Sequence, residues 1–400
     1  MVTRSFDHEG HLIDSGQLTN MLRLIVAEGA DFEIERFEVG KRPEDESRMR
    51  FVVTAEEQVT IDAVTVRLSD MGVRTRGEFE AVWIPVEKDR AAPEGFYSTT
   101  NHRTEVFTGG RSLPVSAQRM DAAVVLRDDG PACVKLRDLK RGDRVLVGTE
   151  AVRVYPPELE SSADEFVFMR NGVSSERNAT MAAERIAREM RTTRDRGGRI
   201  IAVAGPVVVH TGGADALAAL VRDGWIHGLL GGNAIAVHDL EYRLYGTSLG
   251  VDLSTGMPVS EGHKNHMMAI NTVYGYGSIA AMISEGALET GLMYEVIRAG
   301  IPCCLAGSIR DDGPLPETEM DMIEAQAAYA RIIAGADMVL MLSTMLHSIG
   351  TGNMTPSWVK TVCVDINPAV VTKLSDRGSA QAIGVVSDVG LFLRALVAAL

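Results

Sequence analysis

Short apolar runs that alternate with polar loops and helical patterns dominate the second half of the chain. Each run precedes a Gly-rich or charged loop and then a helix. The runs occupy residues 200–204, 225–230, 301–305, 338–342, 362–364 and 383–386. Nearly continuous apolar strands that alternate with helices indicate a parallel sheet covered on both faces. Since right-handed crossovers place the loops at one edge of such a sheet, we expect their polar residues to converge there.

The first part of the chain follows a different pattern. Over residues 6–86 the elements are predicted in the order βαββαβ, with the last strand at 81–86, which indicates a ferredoxin-like split unit. Thr54 and Glu57 have the spacing of a capping box and predict that a helix opens there. Residues 100–155 hold short apolar runs between turns and predict a small sheet or partial barrel.

A Tyr-Pro-Pro stretch at 155–157 marks a predicted boundary. We therefore predict an α/β protein with a ferredoxin-like α+β domain at 1–98, a β-rich segment at 99–158 and a catalytic domain at 159–400.

Composition narrows the class of protein. The formal net charge of −14 over 400 residues argues against a nucleic-acid partner, because a phosphate footprint needs clustered Lys and Arg. No apolar run approaches the roughly 18 residues of a membrane span, so no membrane partner is expected. The four cysteines form no CxxC pair. Together with the lack of a signal peptide, this predicts a reducing cytoplasm.

The stretch 305–319, LAGSIRDDGPLPETE, joins a buried strand to adjacent charges and a rigid loop. Arg310, Asp311 and Asp312 follow the strand directly, and Gly313 with Pro314 ends it. In open parallel sheets, ligands bind outside the carboxyl ends of the strands. We therefore interpret these charges as part of a ligand site, although a solvated surface turn is the alternative.

Two other strand ends carry aspartates that can be interpreted in two ways. Asp365 and Asp388 are suited to accepting hydrogen bonds from ribose hydroxyls, as acidic residues do in dinucleotide sites. Helix capping is the alternative, and Asn367 with Pro368 is an ordinary capping pair. The Gly-rich turn at 205–213 lacks the GxGxxG fingerprint and argues against a standard Rossmann domain.

The GHKNH segment at 262–266 places His263 and His266 one helical turn apart, so a metal site has to be considered. No cysteine or paired acid accompanies them at a ligand spacing, so we predict no metal. Lys264 and the histidines are better candidates for substrate contacts or proton transfer.

Taken together, the motifs resemble the archaeal-type ornithine cyclodeaminases, also described as the LOR/SDH bifunctional-enzyme conserved region. The motifs are GPVVVHTGG, GNAIAVHDLE, GTSLGVDL, GHKNHMMAIN, LAGSIRDDGPLPE, TMLHSIGTGN, VCVDINPAVVTKLSDRGS and VSDVG. HLIDSG at 11–16 and FEVGK at 37–41 extend the resemblance over essentially the whole chain. GHKNH departs from the family pattern, in which another histidine is expected near Asn265, so a different substrate selection stays open.

The resemblance implies an NAD-binding domain of the deoxyhypusine-synthase-like type, parallel α/β but not a standard Rossmann fold. It implies a bound, recycled NAD cofactor. Carried over to this sequence, its contacts are Asn233, Ala234, Asp312, Thr344, Met345, Leu346, His347, Asp365, Asp388 and Val389.

The implied reaction is conversion of L-ornithine to L-proline and ammonia. For it we expect Arg310 and Lys264 to bind the α-carboxylate, Asp311 to bind the distal ammonium, and Lys264 or His266 to act as base. One alternative is an NAD-dependent dehydrogenase of the saccharopine or lysine type, and another is a non-catalytic NAD-responsive module. We also expect a homo-oligomer, either a dimer or a tetramer.

Overall fold

The structure, a computed structural model, describes residues 1–10, 12, 16–40, 45–75, 79–156, 175–253, 257, 262–311, 313–376 and 382–400. The chain forms two compact units. One comprises Met1–Ala163 with Asn353–Trp358, and the other comprises Asp164–Gly352 with Val359–Leu400.

The first unit begins with a four-stranded antiparallel sheet and two helices. Its elements are β1 (Val2–Gly10), α1 (Gln17–Ala27), β2 (Asp31–Glu38), β3 (Ser47–Ala55), α2 (Gln58–Asp70) and β4 (Arg74–Thr75). The sheet order β2-β3-β1-β4 gives the predicted βαββαβ arrangement. Burial alternates along β3 because one face of the sheet covers a core in which the rings of Phe6 and Phe51 stack 5.4 Å apart.

Two local predictions in this region are wrong. The strand predicted at 81–86 is not the last strand of this sheet, because Val82 pairs with Val147 in the next sheet. The capping box at Thr54 does not form, because Thr54 lies inside β3 and pairs with Thr3. Glu57 is the residue before α2, and no side chain caps this helix.

The rest of the first unit consists of short antiparallel strands, in agreement with the predicted β-rich segment. They are β5 (Val82–Pro85), β6 (Arg103–Thr108), β7 (Arg111–Pro114), β8 (Ala123–Arg127), β9 (Gly130–Val134), β10 (Arg144–Val147) and β11 (Val152–Tyr155), with a 3-10 turn at Leu136–Asp138. They form two sheets, β5-β10-β8-β9 and β11-β6-β7.

The second unit alternates strands and helices along its length. Up to the GHKNH segment its elements are α3 (Ser175–Asp195), β12 (Ile200–Ala204), α4 (Val207–His210), α5 (Ala214–Arg222), β13 (Leu229–Gly232), α6 (Asn233–Tyr245), β14 (Thr247–Ser248) and β15 (Val251–Asp252). A 3-10 turn at Gly262–Lys264 leads into α7 (Asn265–Tyr276), α8 (Ile279–Ser284) and α9 (Leu292–Arg298). The remaining elements are β16 (Cys303–Ala306), β17 (Thr318–Glu319), α10 (Met322–Ile333), β18 (Met338–Leu342), α11 (Met345–Met354), β19 (Lys360–Asp365), α12 (Pro368–Asp376), β20 (Ala382–Val386) and α13 (Val389–Ala399).

Seven of these strands form one parallel sheet in the order β17-β16-β13-β12-β18-β19-β20. The two central strands, β12 and β18, are buried along their whole length, as near-continuous apolar runs predict. From β12 the chain winds outward through β13, β16 and β17, and it then returns to β18 on the other side. The strand order therefore reverses between β12 and β18, which is the switch point at which doubly wound sheets bind ligands.

This strand order is that of a Rossmann-type domain, so the argument from the missing GxGxxG against such a domain is wrong. The close approach that the fingerprint glycines normally permit occurs here without the full motif. Gly205 directly follows β12, and a Cβ at this position would overlap with the carbonyl oxygen of Ser343, which follows β18. Among the described residues, no helix is long and apolar enough to cross a membrane.

Candidate active site

A cavity of about 500 Å³ lies at the carboxyl ends of β12, β13 and β16, on the edge predicted to collect polar loops. Five residues singled out from the sequence line it. They are Asn233, Ala234, His266, Arg310 and Asp311. Residues distant in sequence meet there because parallel strands present their following loops at one edge of the sheet.

Asn233 is the first residue of α6 and is almost completely buried. Its side-chain oxygen accepts hydrogen bonds from the backbone N–H of Leu315 at 3.0 Å and from the hydroxyl of Thr318 at 2.9 Å. With its oxygen engaged in this way, the amide group of Asn233 offers its NH₂ hydrogens to the cavity.

The charged loop after β16 is held by its own side chains. The carboxylate of Asp311 accepts from the backbone N–H of Ser308 at 2.6 Å, and the hydroxyl of Ser308 accepts from the N–H of Arg310 at 3.1 Å. These bonds fold the loop so that Arg310 and Asp311 both line the cavity. Arg310 is exposed and Asp311 is half-buried, while Asp312 lies outside the described residues.

The two predicted base candidates are placed differently. His266, in the first turn of α7, lines the cavity. Lys264 ends the preceding 3-10 turn and is exposed, and it is not among the residues that line this cavity. The side chain of His263 lies outside the described part of the structure. Within the described ranges, no group of three or more His, Cys, Asp or Glu side chains is arranged to hold a metal ion.

The remaining predicted cofactor residues follow the strands on the other side of the switch point. Thr344 lies between β18 and α11, and Met345, Leu346 and His347 form the first turn of α11. Leu346 is exposed, whereas His347 is half-buried. Asp365 ends β19, and Asp388 with Val389 follows β20.

The capping alternative holds for Asp388 itself and, beside Asp365, for Asn367. Asp388 accepts from the N–H of Leu391 at 2.8 Å and caps α13. Asp365 accepts from the N–H of Asn367 at 2.8 Å, and Asn367 in turn accepts from the N–H of Ala369 at 3.0 Å. Each of these carboxylates uses one oxygen in its bond, so capping is compatible with a second hydrogen-bond partner.

His347 connects the two sides of the switch point. Its Nδ1 lies 3.0 Å from the hydroxyl of Tyr329, which also donates to the carbonyl oxygen of Gly231 at 2.7 Å. Burial lowers the pKa of His347, although the negative charge of Asp311 opposes this shift. A Cβ at Gly232 would lie 2.8 Å from Nε2 of His347, so only glycine fits there without displacing the ring.

Three functional candidates were missed from the sequence: His210, His238 and Glu241. Both histidines line the cavity, with their ring centres 4.7 Å apart. Nδ1 of His238 lies 2.9 Å from a carboxylate oxygen of Glu241, which is completely buried. The signal was the spacing of three residues between His238 and Glu241, which puts both side chains on one face of α6.

The strand order, the switch point and the polar cavity define a Rossmann-type α/β domain of the kind that binds a dinucleotide beside a small ligand. The chain belongs to the family of ArgZ-like C-terminal regions, because the model described as "Arginine dihydrolase ArgZ-like, C-terminal, Rossmann fold" matches residues 184–396. Residues 3–102 match the LOR/SDH bifunctional enzyme conserved region, and residues 103–183 match the first ArgZ-like C-terminal region. The family resemblance identified from the motifs is thereby confirmed.

The relatives fall into two groups that differ in length. The chain is 50% identical over 97% of its length to the bifunctional arginine dihydrolase/ornithine cyclodeaminase ArgZ of Synechocystis, and it spans 57% of that protein. It is 48% identical over 99% of its length to the ornithine cyclodeaminase of Methanocaldococcus jannaschii and spans 96% of that protein. The chain thus covers little more than half of the cyanobacterial relative but nearly all of the archaeal one.

Two solved structures share the fold. The crystal structure of ArgZ without ligand, an arginine dihydrolase of the cyanobacterial ornithine–ammonia cycle, matches with a TM-score of 0.87 at 45% identity, covering 100% of this chain and 58% of that one. The ternary complex of AgrE with ornithine and NAD⁺ matches with a TM-score of 0.55 at 46% identity, covering 100% of this chain and 57% of that one.

Proposed function

We propose that this protein is an NAD-dependent ornithine cyclodeaminase that converts L-ornithine to L-proline and ammonia. The observation that carries the proposal is the cavity lined by Arg310, Asp311, Asn233 and His266 beside the switch point of a Rossmann-type sheet. The near-full-length match to an archaeal ornithine cyclodeaminase supports it. So does the AgrE complex, which holds ornithine and NAD⁺ in a chain 46% identical to this one.

The residues around the switch point fit a dinucleotide. Gly205 allows the backbones that follow β12 and β18 to approach closely, and Gly232 leaves room for the ring of His347. Ser348, in the first turns of α11, is completely buried, and its hydroxyl has no hydrogen-bond partner among the described residues. An orphaned hydroxyl near a helix N-terminus suits an anionic group, because that terminus also presents unpaired N–H groups.

The proposed cofactor residues lie along the edge of the sheet that runs from β20 through β19, β18 and β12 to β13. Neighbouring strands are about 4.8 Å apart, so this path of four strand spacings is roughly 19 Å long, a span suited to an extended dinucleotide. In this arrangement Asp365 and Asp388 bind the adenosine end, Thr344 to His347 bind the middle, and Asn233 with Ala234 lies at the nicotinamide end. Asp312 completes the predicted set. The deoxyhypusine-synthase-like subtype of the domain is part of this proposal.

The substrate binds in the cavity next to the nicotinamide end. Arg310 pairs with the α-carboxylate, since a guanidinium is the side chain best suited to bidentate carboxylate binding. Lys264 is the second candidate for this contact. Asp311 neutralises the distal ammonium. Of the two base candidates named from the sequence, His266 lies on the cavity wall and Lys264 does not, so His266 is the one placed to contact the substrate.

Bound NAD⁺ supplies the acceptor for the hydride of the ornithine α-carbon and then the donor that reduces the cyclic imine. Since the hydride leaves and returns, the net reaction is redox-neutral, and a site that excludes water protects the imine from hydrolysis.

A turnover assay tests the proposal. Purified protein is incubated with L-ornithine and substoichiometric NAD⁺, while proline, ammonia and the absorbance of NADH are followed. We expect proline and ammonia in equal amounts without net NADH. Stoichiometric NADH would identify a dehydrogenase instead, and no turnover of ornithine, lysine or saccharopine would identify an NAD-responsive module.

Three further assignments belong to the proposal. We place the protein in the cytoplasm, in proline formation from ornithine and arginine, and its four free thiols suit a reducing compartment. We expect a dimer or tetramer, which light scattering measures. We also propose the domain division at 1–98, 99–158 and 159–400.

A further inference from the structure

Three of the sequence motifs meet at one buried carboxylate beside the cavity. Glu241 of GNAIAVHDLE is completely buried, and its two oxygens accept from four donors. These donors are the hydroxyl of Thr247 at 2.9 Å, the N–H of Gly250 at 3.2 Å, the N–H of Leu249 at 3.3 Å and the ring nitrogen Nδ1 of His238 at 2.9 Å. Asn265 of GHKNH extends the network by donating to the hydroxyl of Thr247 at 2.8 Å.

The hydrogen bonds to Glu241 keep it ionised. Burial acts to raise the pKa of Glu241, but the hydrogen bonds from His238, Gly250 and Thr247 outweigh burial and leave this pKa lowered. A buried carboxylate that accepts from a histidine Nδ1–H fixes the tautomer of that ring and leaves Nε2 as the proton acceptor. The same pairing orients the histidine in catalytic triads.

The backbone around Glu241 is strained where it serves this carboxylate. Leu249 has a φ of 53° and is followed by Gly250 at 73°, so two successive residues lie in the left-handed region. A left-handed conformation costs a leucine of the order of 1 kcal/mol or more. Here it aims both N–H groups at Glu241. The side chain of Leu249 is largely exposed and lines the cavity. Core packing therefore does not explain the strain.

A second histidine beside His238 is kept neutral. Nδ1 of His210 lies 2.6 Å from the hydroxyl of Ser248, and its ring meets that of His238 edge to face. Burial, and then the proximity of His238, lower the pKa of His210 to about 4. His238 lies within hydrogen-bond distance of the carboxylate of Glu241, whereas His210 pairs with the hydroxyl of Ser248.

We infer that His238 is a catalytic proton-transfer residue of this cavity and that Glu241 is the positioning residue that orients it. The inference rests on the proposed function. Nε2 of His238 takes one proton from the α-ammonium of ornithine, which frees the nitrogen lone pair before the α-carbon gives up its hydride. The δ-ammonium loses a proton to solvent before the δ-amine adds to the α-carbon, and the ring nitrogen of the adduct then loses a second proton to solvent. The proton held by His238 returns to the original α-nitrogen. That nitrogen then leaves as ammonia while the ring nitrogen forms the C=N bond.

Matched substitutions test this division of roles. We expect His238→Asn to lower kcat by about 10²- to 10⁴-fold, the usual contribution of a general acid–base. Glu241→Gln keeps the size of the side chain but removes its charge, and we expect it to lower kcat about 10- to 100-fold, as is typical for residues that orient a functional histidine. Ornithine KM, and the dissociation constants of ornithine and NAD⁺ by calorimetry, should stay within about threefold of wild type, because neither residue is assigned to binding.

Two readouts separate proton transfer from a structural role. Added imidazole should restore part of the activity of His238→Ala but not that of Glu241→Gln. The solvent deuterium isotope effect on kcat should rise in Glu241→Gln, because proton transfer becomes slower relative to hydride transfer. His227→Asn is the control for a half-buried histidine outside the cavity, where Nδ1 accepts only from the N–H of Ile200, and it should keep wild-type kcat.

The outcomes are distinguishable. Wild-type protein that makes no proline from ornithine overturns the proposed function and this inference with it. An active wild type together with a His238→Asn variant within threefold of its kcat overturns the inference alone. Equal losses of kcat and ornithine affinity without imidazole rescue would assign the network a structural role. If His238→Asn does not fold, Glu241→Gln carries the test through kcat, the binding constants and the isotope effect.

Discussion

Replacing Gly232 with alanine tests the geometry of the switch point most directly. The new Cβ would lie 2.8 Å from Nε2 of His347, closer than carbon and nitrogen atoms normally pack. The imidazole cannot simply swing away, because Tyr329 holds its Nδ1 at 3.0 Å and is itself anchored to Gly231. The ring must therefore shift, and His347 is itself one of the proposed cofactor contacts.

The expected magnitude follows from the packing. Overpacking by one methyl group costs about 1–3 kcal/mol. If that cost falls on the cofactor-bound state, it weakens NAD⁺ binding about 5- to 150-fold, since 1.4 kcal/mol corresponds to a factor of ten. Isothermal calorimetry with NAD⁺ measures the change. Gly275→Ala is the matched control, because no atom lies within 4 Å of its Cβ position, and it should leave NAD⁺ affinity unchanged.

A Gly232→Ala variant that binds NAD⁺ as tightly as wild type would refute the reasoning. It would show either that the His347 ring relaxes without cost or that the cofactor does not pass this point. A thermal unfolding curve separates a binding defect from a folding defect, because a folding defect lowers the melting temperature in the absence of NAD⁺ as well.

Three further predictions concern stability, pH and the charged loop. Asp239→Ala should destabilise the protein by about 2–5 kcal/mol, because the buried carboxylate of Asp239 accepts two backbone N–H groups at the start of α9 and each loses its partner. The control Asp321→Ala removes an exposed helix cap and should cost about 0.5–2 kcal/mol. Equal losses of the two variants in denaturant titrations would contradict the structural importance of the buried Asp239. His210 has a pKa of about 4 in the folded protein against 6.5 in the unfolded chain, so the unfolded state takes up the proton first and stability falls as the pH drops through that window. His210→Gln should reduce the dependence of the unfolding free energy on pH between pH 6.5 and 4. An unchanged slope of unfolding free energy against pH would contradict this. Asp312→Ala should weaken NAD⁺ binding more than Asp311→Ala does, because Asp312 is assigned to the cofactor and Asp311 to the substrate. Equal NAD⁺ dissociation constants for the two variants would contradict these assignments.

The sequence predicted the architecture of the second unit well, because its apolar runs have only one plausible arrangement. The runs at 200–204 and 338–342 coincide with β12 and β18, both completely buried. Prediction was poorer where pairing partners decide the outcome. The run at 81–86 gives no sign that its strand joins β10 rather than β1, since that choice depends on residues in β10, far along the chain.

In the candidate site, too, some residues could be predicted from the sequence and others depend on contacts between distant segments. Strand-end charges such as Arg310 and Asp311 were predictable, because parallel topology fixes where strands end. The pair His238 and Glu241 was not, because a histidine and a glutamate three residues apart on a helix are ordinarily solvent-exposed. Their importance comes from the hairpin β14–β15, whose residues Thr247 and Gly250 donate to Glu241. Nothing in the sequence reports that fold-back contact.

The position of the switch point separates the loops proposed to bind the cofactor from most of those that form the cavity. Contacts proposed for the cofactor lie mainly after β18, β19 and β20, whereas the cavity is built from the loops after β12, β13 and β16. The two sets of loops are contributed by different halves of the sheet, and the proposed cofactor residues Asn233, Ala234 and Asp312 are the exceptions that follow strands on the cavity side. Substitutions in the GHKNH loop or at Arg310 and Asp311 can therefore alter the accepted amino acid while the contacts proposed for the cofactor stay intact, so that new substrate preferences can arise without changes to the cofactor site.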